Sequence, residues 1–205
     1  MTFGFFIDPS PALASLVLER KAAAGTRWPQ ATYLSHPVHA TLLAGAFAEM
    51  SEWLPLLSAR VATAAPFWIE CRTPVVFAND PITGGATVVI DVVPSAALHA
   101  LQLMVAETVA PFRDVAVAES LAARVRDAEA AECTRAFGSP WVGAHWRPHF
   151  TIGSFAVDPS APELASLLAP FAPLSVPVRS VSVWKIAGDV HERCAEITFG
   201  GAVGG

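Results

Sequence analysis

Two stretches of the chain, Ser35–Leu43 (SHPVHATLL) and Arg147–Gly153 (RPHFTIG), contain the same four-residue pattern. Each holds a histidine, an apolar residue, a threonine and a second apolar residue, at His39–Leu42 and at His149–Ile152. Successive side chains of a β-strand point to opposite faces, so each histidine shares a face with its threonine. The two apolar residues point the other way. The pattern predicts two strands that each bury one face and present an imidazole beside a hydroxyl on the other.

Paired imidazoles favour proton transfer around a phosphorus centre. The unperturbed pKa of histidine is about 6.5, so the ring gains or loses a proton readily near neutral pH. One histidine can take a proton from the attacking oxygen while the other donates one to the leaving oxygen, each role giving typically ~10²–10⁴ in rate. A threonine hydroxyl on the same face can donate to a phosphoryl oxygen. Two such strands far apart in the chain therefore indicate a cleft with two proton-transfer groups.

Composition limits the class of protein and the class of ligand. The 205 residues suffice for one domain, which can be built as two lobes. No apolar run approaches the ~18 residues of a membrane span, and the N-terminus lacks the basic region of a signal peptide, so a cytoplasmic location is expected. The net charge is −5 with only two lysines, which favours a mononucleotide or a short RNA end over a long nucleic acid. Three dispersed cysteines favour neither a zinc cage nor a disulfide framework.

Hydrophobic periodicity and capping residues predict the order of elements. Strands are expected over Phe3–Ile7, Phe67–Phe77, Ala86–Val93, Val176–Ile186 and Arg193–Phe199, and through both His-x-Thr segments, the second running to about Val157. Helices are expected from a Ser10 cap to a stop at Gly25, from a Ser51 cap to Val61, after Pro94-Ser95, less regularly over 115–137, and from Ser160, which forms a capping box with Glu163. Turns are expected around Asn79-Asp80-Pro81 and Gly84-Gly85.

The order of elements repeats within the chain. Each His-x-Thr strand is followed by a helix and then by two further strands. The junctions Asp8–Ser10 and Asp158–Ser160 share the sequence Asp-Pro-Ser, and both lead into Leu-Ala-Ser-Leu. This echo favours two similar α+β lobes within one domain over residues 1–199, followed by a flexible Gly-rich tail over 200–205.

The two motifs resemble those of the 2H phosphoesterase superfamily, which includes bacterial RNA 2′,3′-cyclic phosphodiesterases, also called 2′-5′ RNA ligases. The segments His39–Phe47, Pro94–Leu98 and Pro111–Arg113 are similar to a branch linked to phosphonate metabolism. The resemblance covers most of the chain in element order and is specific only at the motifs. It implies an α+β fold in which two similar βα lobes with antiparallel sheets flank a central cleft.

The same resemblance implies a metal-independent cyclic phosphodiesterase without a cofactor. Its substrate would be a nucleoside or ribose 2′,3′-cyclic phosphate, or a short RNA end. His39 and His149 would be the acid/base pair, in an order that the sequence leaves open, and Thr41 and Thr151 would bind phosphate. RNA ligation at the same site and a non-catalytic module that binds nucleotides or RNA ends are the alternatives.

Three further residues are candidate substrate contacts. Arg147 lies two positions before His149, where it would share the active face and attract phosphate, although a surface position fits equally well. Trp146 and Tyr33 would stack on a base, or else belong to the core or to the rim of the site.

A metal site is the rival interpretation of the histidines. His36, His39, His145 and His149 would be the ligands. In a strand, however, the odd spacing would place His36 and His39 on opposite faces, and Pro148 argues against a helix that would align His145 with His149. No carboxylate accompanies them, so a metal is not expected. His99, in a helix, and His191, in a turn, are interpreted as structural or solvated.

Overall fold

The computed structural model describes residues 1–78, 80, 83–188 and 190–200. The strands are β1 (Thr2–Ile7), β2 (Ala40–Ala46), β3 (Phe67–Phe77), β4 (Ala86–Val92), β5 (His149–Phe155), β6 (Leu174–Val178), β7 (Ser180–Ala187) and β8 (Val190–Thr198). The helices are α1 (Pro11–Arg27), α2 (Met50–Val61), α3 (Ala96–Val109), α4 (Val115–Ala122) and α5 (Ala128–Phe137), with 3₁₀ turns at Ala110–Phe112, Gly143–His145 and Pro162–Ser166. Among the described residues, no helix combines the length and the apolar character that crossing a bilayer requires.

The strands form one curled antiparallel sheet in the order β6-β3-β4-β5-β2-β1-β7-β8. Strands β2, β1, β7 and β8 make up one half, and β5, β4, β3 and β6 make up the other. The halves meet where Ala40 of β2 pairs with Phe150 of β5. The predicted α+β fold of two antiparallel lobes is confirmed, and the structure adds that the lobes share a continuous sheet.

The alternation predicted for the two motifs is present in the core. The four apolar motif residues are at most 1% exposed and lie within the main hydrophobic cluster: Ala40, Leu42, Phe150 and Ile152. Their burial orients the strands, because a shift by one residue would bring the histidines and threonines into the core. The apolar positions of the motifs thus determine which face carries the polar ones.

Two helix caps are as predicted, and one predicted helix end is wrong. The Ser10 and Ser95 side chains accept hydrogen bonds from the backbone N–H groups of Leu13 and Leu98, at the starts of α1 and α3. Gly25 does not end α1, which continues to Arg27. Glycine costs only about 1 kcal/mol inside a helix, and the buried stripe on this helix still continues to Ala24.

The second helix begins one residue before its predicted cap. Glu49 is the N-cap of α2, and Ser51 lies inside the first turn. Ala48, just before the cap, is held by two hydrogen bonds. Its backbone N–H donates to the Phe112 carbonyl, and the Ala48 carbonyl accepts from the Trp53 indole. These contacts, rather than a serine cap, determine where the helix starts.

Near the C-terminus three expectations are wrong. Ser160 donates to the neighbouring Asp158 carboxylate and forms no capping box, so only a 3₁₀ turn follows. The single strand expected over Val176–Ile186 divides at Arg179 into β6, which pairs with β3, and β7, which pairs with β1. His191 lies in β8 and not in a turn.

The remaining terminal and turn predictions are tested only in part. The backbone N–H of Gly200 donates to the Ala62 carbonyl, so the first residue of the expected tail is bonded to the fold. Residues 201–205 lie outside the described residues, as do Asn79 and Pro81 of the predicted turn. The irregular helical region over 115–137 consists of α4 and α5.

Candidate active site

The four polar motif side chains line one cavity of about 410 Å³ where the two lobes meet. Ala40 and Phe150 are paired antiparallel, so Thr41 lies across from His149 and His39 lies across from Thr151. Because the paired residues point into the core, the residues on either side of them point to the opposite face and into the cavity. Each imidazole therefore has its own threonine beside it on one strand and the other motif's threonine on the neighbouring strand.

The His149 ring is oriented by its own backbone. Nδ1 lies 2.7 Å from the Arg147 carbonyl, which can only accept, so Nδ1–H donates and Nε2 is left for chemistry. The ring edge also meets Phe77, at 5.0 Å between centroids. Burial lowers the pKa of His149; the Arg147 guanidinium lowers it further, while the Arg147 carbonyl and the carboxylates of Asp91 and Asp80 oppose the shift. Asp91 pairs directly with His149 across β4 and β5.

The His39 ring is held by stacking. It lies on the Phe6 ring, with the centroids 3.8 Å apart and the planes inclined by 20°. Phe6 in turn covers Gly4, where a Cβ atom would lie 2.1 Å from the ring. Only glycine at that position leaves the Phe6 ring room to lie flat beneath the imidazole.

The environment of His39 strongly favours the neutral ring. Burial lowers its pKa to about 3; nearby His191, Lys21 and His36 lower it as well, and the Pro37 carbonyl opposes the shift. Its Nδ1 is buried and, within the described part of the chain, has no hydrogen bond of good geometry. A proton on this ring is therefore unfavourable unless an anion joins it.

Lys21 is a site residue that the sequence interpretation missed. It is only 5% exposed, and Nζ donates to the carbonyls of Tyr33 and His36 at 2.7 Å each. Burial lowers the pKa of Lys21 to about 8, which still leaves most of the amine charged at pH 7. A signal was available, because Leu13, Val17 and Lys21 follow one another at i, i+4 and i+8 on the buried stripe of α1.

Tyr33 lies at the turn that carries His36 into the cavity. Its φ of 72° is unusual for a residue with a side chain, and the Lys21 bond to its carbonyl supports this backbone conformation. Burial and the Asp80 carboxylate, to which the hydroxyl is bonded, raise the pKa of Tyr33 to about 12. Tyr33 thus lines the cavity with its hydroxyl already bonded.

Trp146 and Arg147 take different places in the site. Trp146 is 6% exposed, donates from its indole to the Thr41 carbonyl at 2.8 Å and meets His99 edge-on. Trp146, next to the second motif, therefore stabilises the first motif through this hydrogen bond and forms a wall of the cavity. Little of its ring surface is accessible to a ligand. The Arg147 guanidinium lies 4.3 Å above the Phe77 ring and 4.0 Å from the Asp91 carboxylate, with the side chain mostly exposed at the rim.

The expectation that His36 and His39 lie on opposite faces is wrong. His36 precedes the strand in a turn, so strand alternation does not apply, and both rings line the cavity. His145 lies 3.5 Å from the exposed Glu129 carboxylate. Over the residues that the structure describes, no three His, Cys, Asp or Glu side chains converge in a way that would hold a metal ion.

Two further residues line the cavity without a signal in the sequence. His191 enters from β8, where its partner across β7 is Ile186, also a lining residue. Trp141 lies in the loop after α5, lines the cavity and is 43% exposed. Tertiary packing brings both residues to the cavity, and no local sequence pattern predicts this position.

Solved structures share this fold. A Thermus thermophilus protein, TT0787, is 17% identical over 98% of this chain and 99% of its own, with a TM-score of 0.62. Escherichia coli LigT in complex with NADP⁺ is 14% identical over 97% and 98%, with a TM-score of 0.54. LigT in complex with 3′-AMP is 15% identical over 96% and 97%, with a TM-score of 0.52. No curated protein matches the sequence.

Membership follows from the family model. The model described as the 2′-5′ RNA ligase superfamily matches residues 9–190 and so covers most of the chain, including both motifs. The similarity to the branch linked to phosphonate metabolism stays a prediction. The chain belongs to the 2′-5′ RNA ligase superfamily, as the two motifs had indicated.

Proposed function

We propose that the protein is a metal-independent phosphodiesterase that opens a nucleoside or ribose 2′,3′-cyclic phosphate, or the cyclic phosphate of a short RNA end. The observation that carries the proposal is the convergence of both His-x-Thr motifs on one cavity, set by the Ala40–Phe150 pairing. Membership of a superfamily of RNA-end enzymes supports it. So do the complexes of LigT with NADP⁺ and 3′-AMP, which show small nucleotides bound to that protein.

The size and polarity of the cavity fit a small nucleotide. About 410 Å³ lies within the range of roughly 300–1,000 Å³ found for small-molecule sites. At the rim, the Arg147 guanidinium is accessible to phosphate, and Phe77 and Tyr33 offer apolar surface nearby. Trp146 contributes a wall, and we do not assign it to base stacking because its ring is buried.

The groups around His39 support a role as the general base. Lys21, His36 and His191 lie on its side of the cavity and disfavour a second positive charge there. A general base must begin the reaction neutral. His39 meets that requirement across the whole neutral range.

The groups around His149 support a role as the general acid. The carboxylates of Asp91 and Asp80 favour its imidazolium and oppose the lowering of its pKa that burial and the Arg147 guanidinium cause. The Arg147 carbonyl, which accepts from Nδ1–H, stabilises the same charged form. When an anionic substrate enters, the proton needed for the leaving group is therefore held more readily on His149 than on His39.

The reaction then proceeds in one balanced step. His39 takes a proton from water as the water oxygen forms a bond to phosphorus. The bond from phosphorus to one ribose oxygen breaks, and His149 donates its proton to that oxygen. Thr41 and Thr151 donate hydroxyl hydrogen bonds to the non-bridging oxygens, whose negative charge grows in the transition state. The product is a phosphomonoester.

Turnover of 2′,3′-cyclic nucleotides in the presence of EDTA tests the activity. His39→Ala and His149→Ala are each expected to lower kcat by roughly 10²–10⁴, while Lys185→Met, at a side chain that does not line the cavity, retains activity. Full activity in either motif variant contradicts the assignment. Nucleotide binding without turnover by the wild type supports the binding module instead, and joining of RNA ends supports ligation.

A second substrate separates the acid from the base. A nucleoside 3′-(4-nitrophenyl phosphate) has a leaving group that departs without a proton. His149→Ala is expected to retain most of its activity on this ester, whereas His39→Ala loses activity on both substrates. The reverse pattern would exchange the two roles.

A further inference from the structure

One wall of the cavity gathers three nitrogen-bearing side chains that transfer no proton and bind no reacting oxygen in the proposed reaction. We call Lys21, His36 and His191 the cationic wall, after the Lys21 ammonium group. They come from α1, from the turn before β2 and from β8, and all three line the cavity beside His39. The rings of His36 and His191 are 4.4 Å apart, and the His191 ring is 6.2 Å from that of His39.

The burial of the Lys21 side chain in this wall is energetically unfavourable by itself. Burying an ammonium group is unfavourable unless it is paired and hydrogen-bonded. Nζ has three N–H donors, of which two reach the carbonyls of Tyr33 and His36. Within the described residues no carboxylate pairs with Lys21, and its lowered pKa reflects burial alone. An anion in the cavity would complete its coordination.

The position of this wall distinguishes it from the site of the reacting phosphate. That phosphate must lie between His39 and His149, above the Ala40–Phe150 pair. In the sheet, β5 and β8 lie on opposite sides of β2, so His191 of this wall approaches His39 from the side away from the strand of His149. Asp91 pairs with His149 across β4 and β5, so a second anion on the His149 side would lie near that carboxylate.

We propose that the cationic wall is a second anion subsite, which accepts another phosphoryl group of the same substrate. The ligand class is a nucleotide that carries a phosphate at each end of its ribose, such as a 2′,3′-cyclic phosphate with a 5′-phosphate. The inference rests on the proposed function for its reacting end. It explains why a chain with net charge −5 buries one of its two lysines at this cavity.

Binding measurements test the subsite independently of turnover. Isothermal titration calorimetry at about 0.1 M salt, where the Debye length is about 10 Å, compares adenosine 3′-monophosphate with adenosine 3′,5′-bisphosphate. For the wild type, the bisphosphate is expected to bind at least ten times more tightly. The ratio of the two Kd values is expected to fall towards one in Lys21→Met and in His191→Gln. Because Lys21→Met could impair folding, His191→Gln, at a half-buried position in β8, provides an independent test.

Matched substitutions elsewhere serve as controls. Lys185→Met changes the other lysine, and His99→Gln changes a histidine outside the cavity. Both are expected to keep the wild-type ratio. Equal affinity of the wild type for the two ligands overturns the subsite, and so does a ratio that survives in both wall variants. Equal weakening of both ligands also overturns it, because the wall would then serve the reacting phosphate. Turnover of 2′,3′-cyclic nucleotides by the same preparations decides the proposed function separately.

Discussion

Lowering the pH from 7 to 5 is expected to destabilise the protein through His39. Its pKa is 6.5 in the unfolded chain and about 3 in the folded one, because the folded ring is buried beside three nitrogen-bearing groups. Below pH 6.5 the His39 ring is therefore protonated in the unfolded chain but stays neutral in the native protein. Stability from the neutral ring is complete above pH 6.5 and is lost progressively as the pH falls from 6.5 towards 3.

The size of the loss follows from the pH interval. Each pH unit over which only the unfolded chain is protonated lowers the free energy of unfolding by about 1.4 kcal/mol. Between pH 7 and pH 5 this amounts to about 2 kcal/mol from His39 alone. The figure depends little on the folded pKa so long as that value stays well below 5. The loss is a sizeable part of the roughly 5–15 kcal/mol typical of a whole domain.

His39→Gln isolates this contribution, because glutamine does not titrate. Urea unfolding of both proteins is followed by tryptophan fluorescence, for which the chain has six reporters. The stability difference between wild type and variant is expected to shift by about 2 kcal/mol against the wild type from pH 7 to pH 5. A difference that stays constant over this range would show that the folded ring titrates normally, and the account of its surroundings would be refuted.

Further substitutions test the supports of the site by urea unfolding. Trp146→Phe removes the indole hydrogen bond to the Thr41 carbonyl and should lower the free energy of unfolding by about 1–2 kcal/mol. Trp68→Phe is the control, because that side chain is 60% exposed and its change should alter stability little. Similar losses in the two variants would refute the view that the Trp146 indole stabilises the site. Gly4→Ala should destabilise by about 1–3 kcal/mol because its Cβ meets the ring beneath the imidazole. Gly25→Ala, which has room within α1, should stabilise by up to about 1 kcal/mol; the same sign for both would contradict the packing argument.

The motifs could be predicted from sequence because their physics is local. Alternation along a strand places His39 with Thr41, and His149 with Thr151, without any knowledge of the fold. Lys21 was equally recognisable as a charged residue on an apolar helical stripe, although it belongs to no motif. His191 could not be predicted, since it reaches the cavity only when β8 pairs with β7.

The helix and strand boundaries that the sequence predicts wrongly also depend on tertiary contacts. A serine cap or a helix-ending glycine is a weak local preference, worth about 1 kcal/mol. Tertiary contacts of similar or greater size decide where the element begins or ends. The carbonyl of Ala48, bonded to the Trp53 indole, is one such contact at the start of α2. The division of the last predicted strand at Arg179 is another, because its two parts pair with β3 and β1, in opposite halves of the sheet.

The symmetry of the two motifs also explains why their surroundings must differ. Antiparallel pairing around Ala40 and Phe150 places each histidine beside both threonines. An acid and a base with identical environments would share one pKa and would not divide the labour. The surroundings of the two rings differ, because Lys21 and two further imidazoles lie near His39, whereas two carboxylates and the Arg147 guanidinium lie near His149. The shared sequence pattern therefore gives the two histidines a common frame, and in the proposed reaction the unlike residues around them decide which histidine is the base.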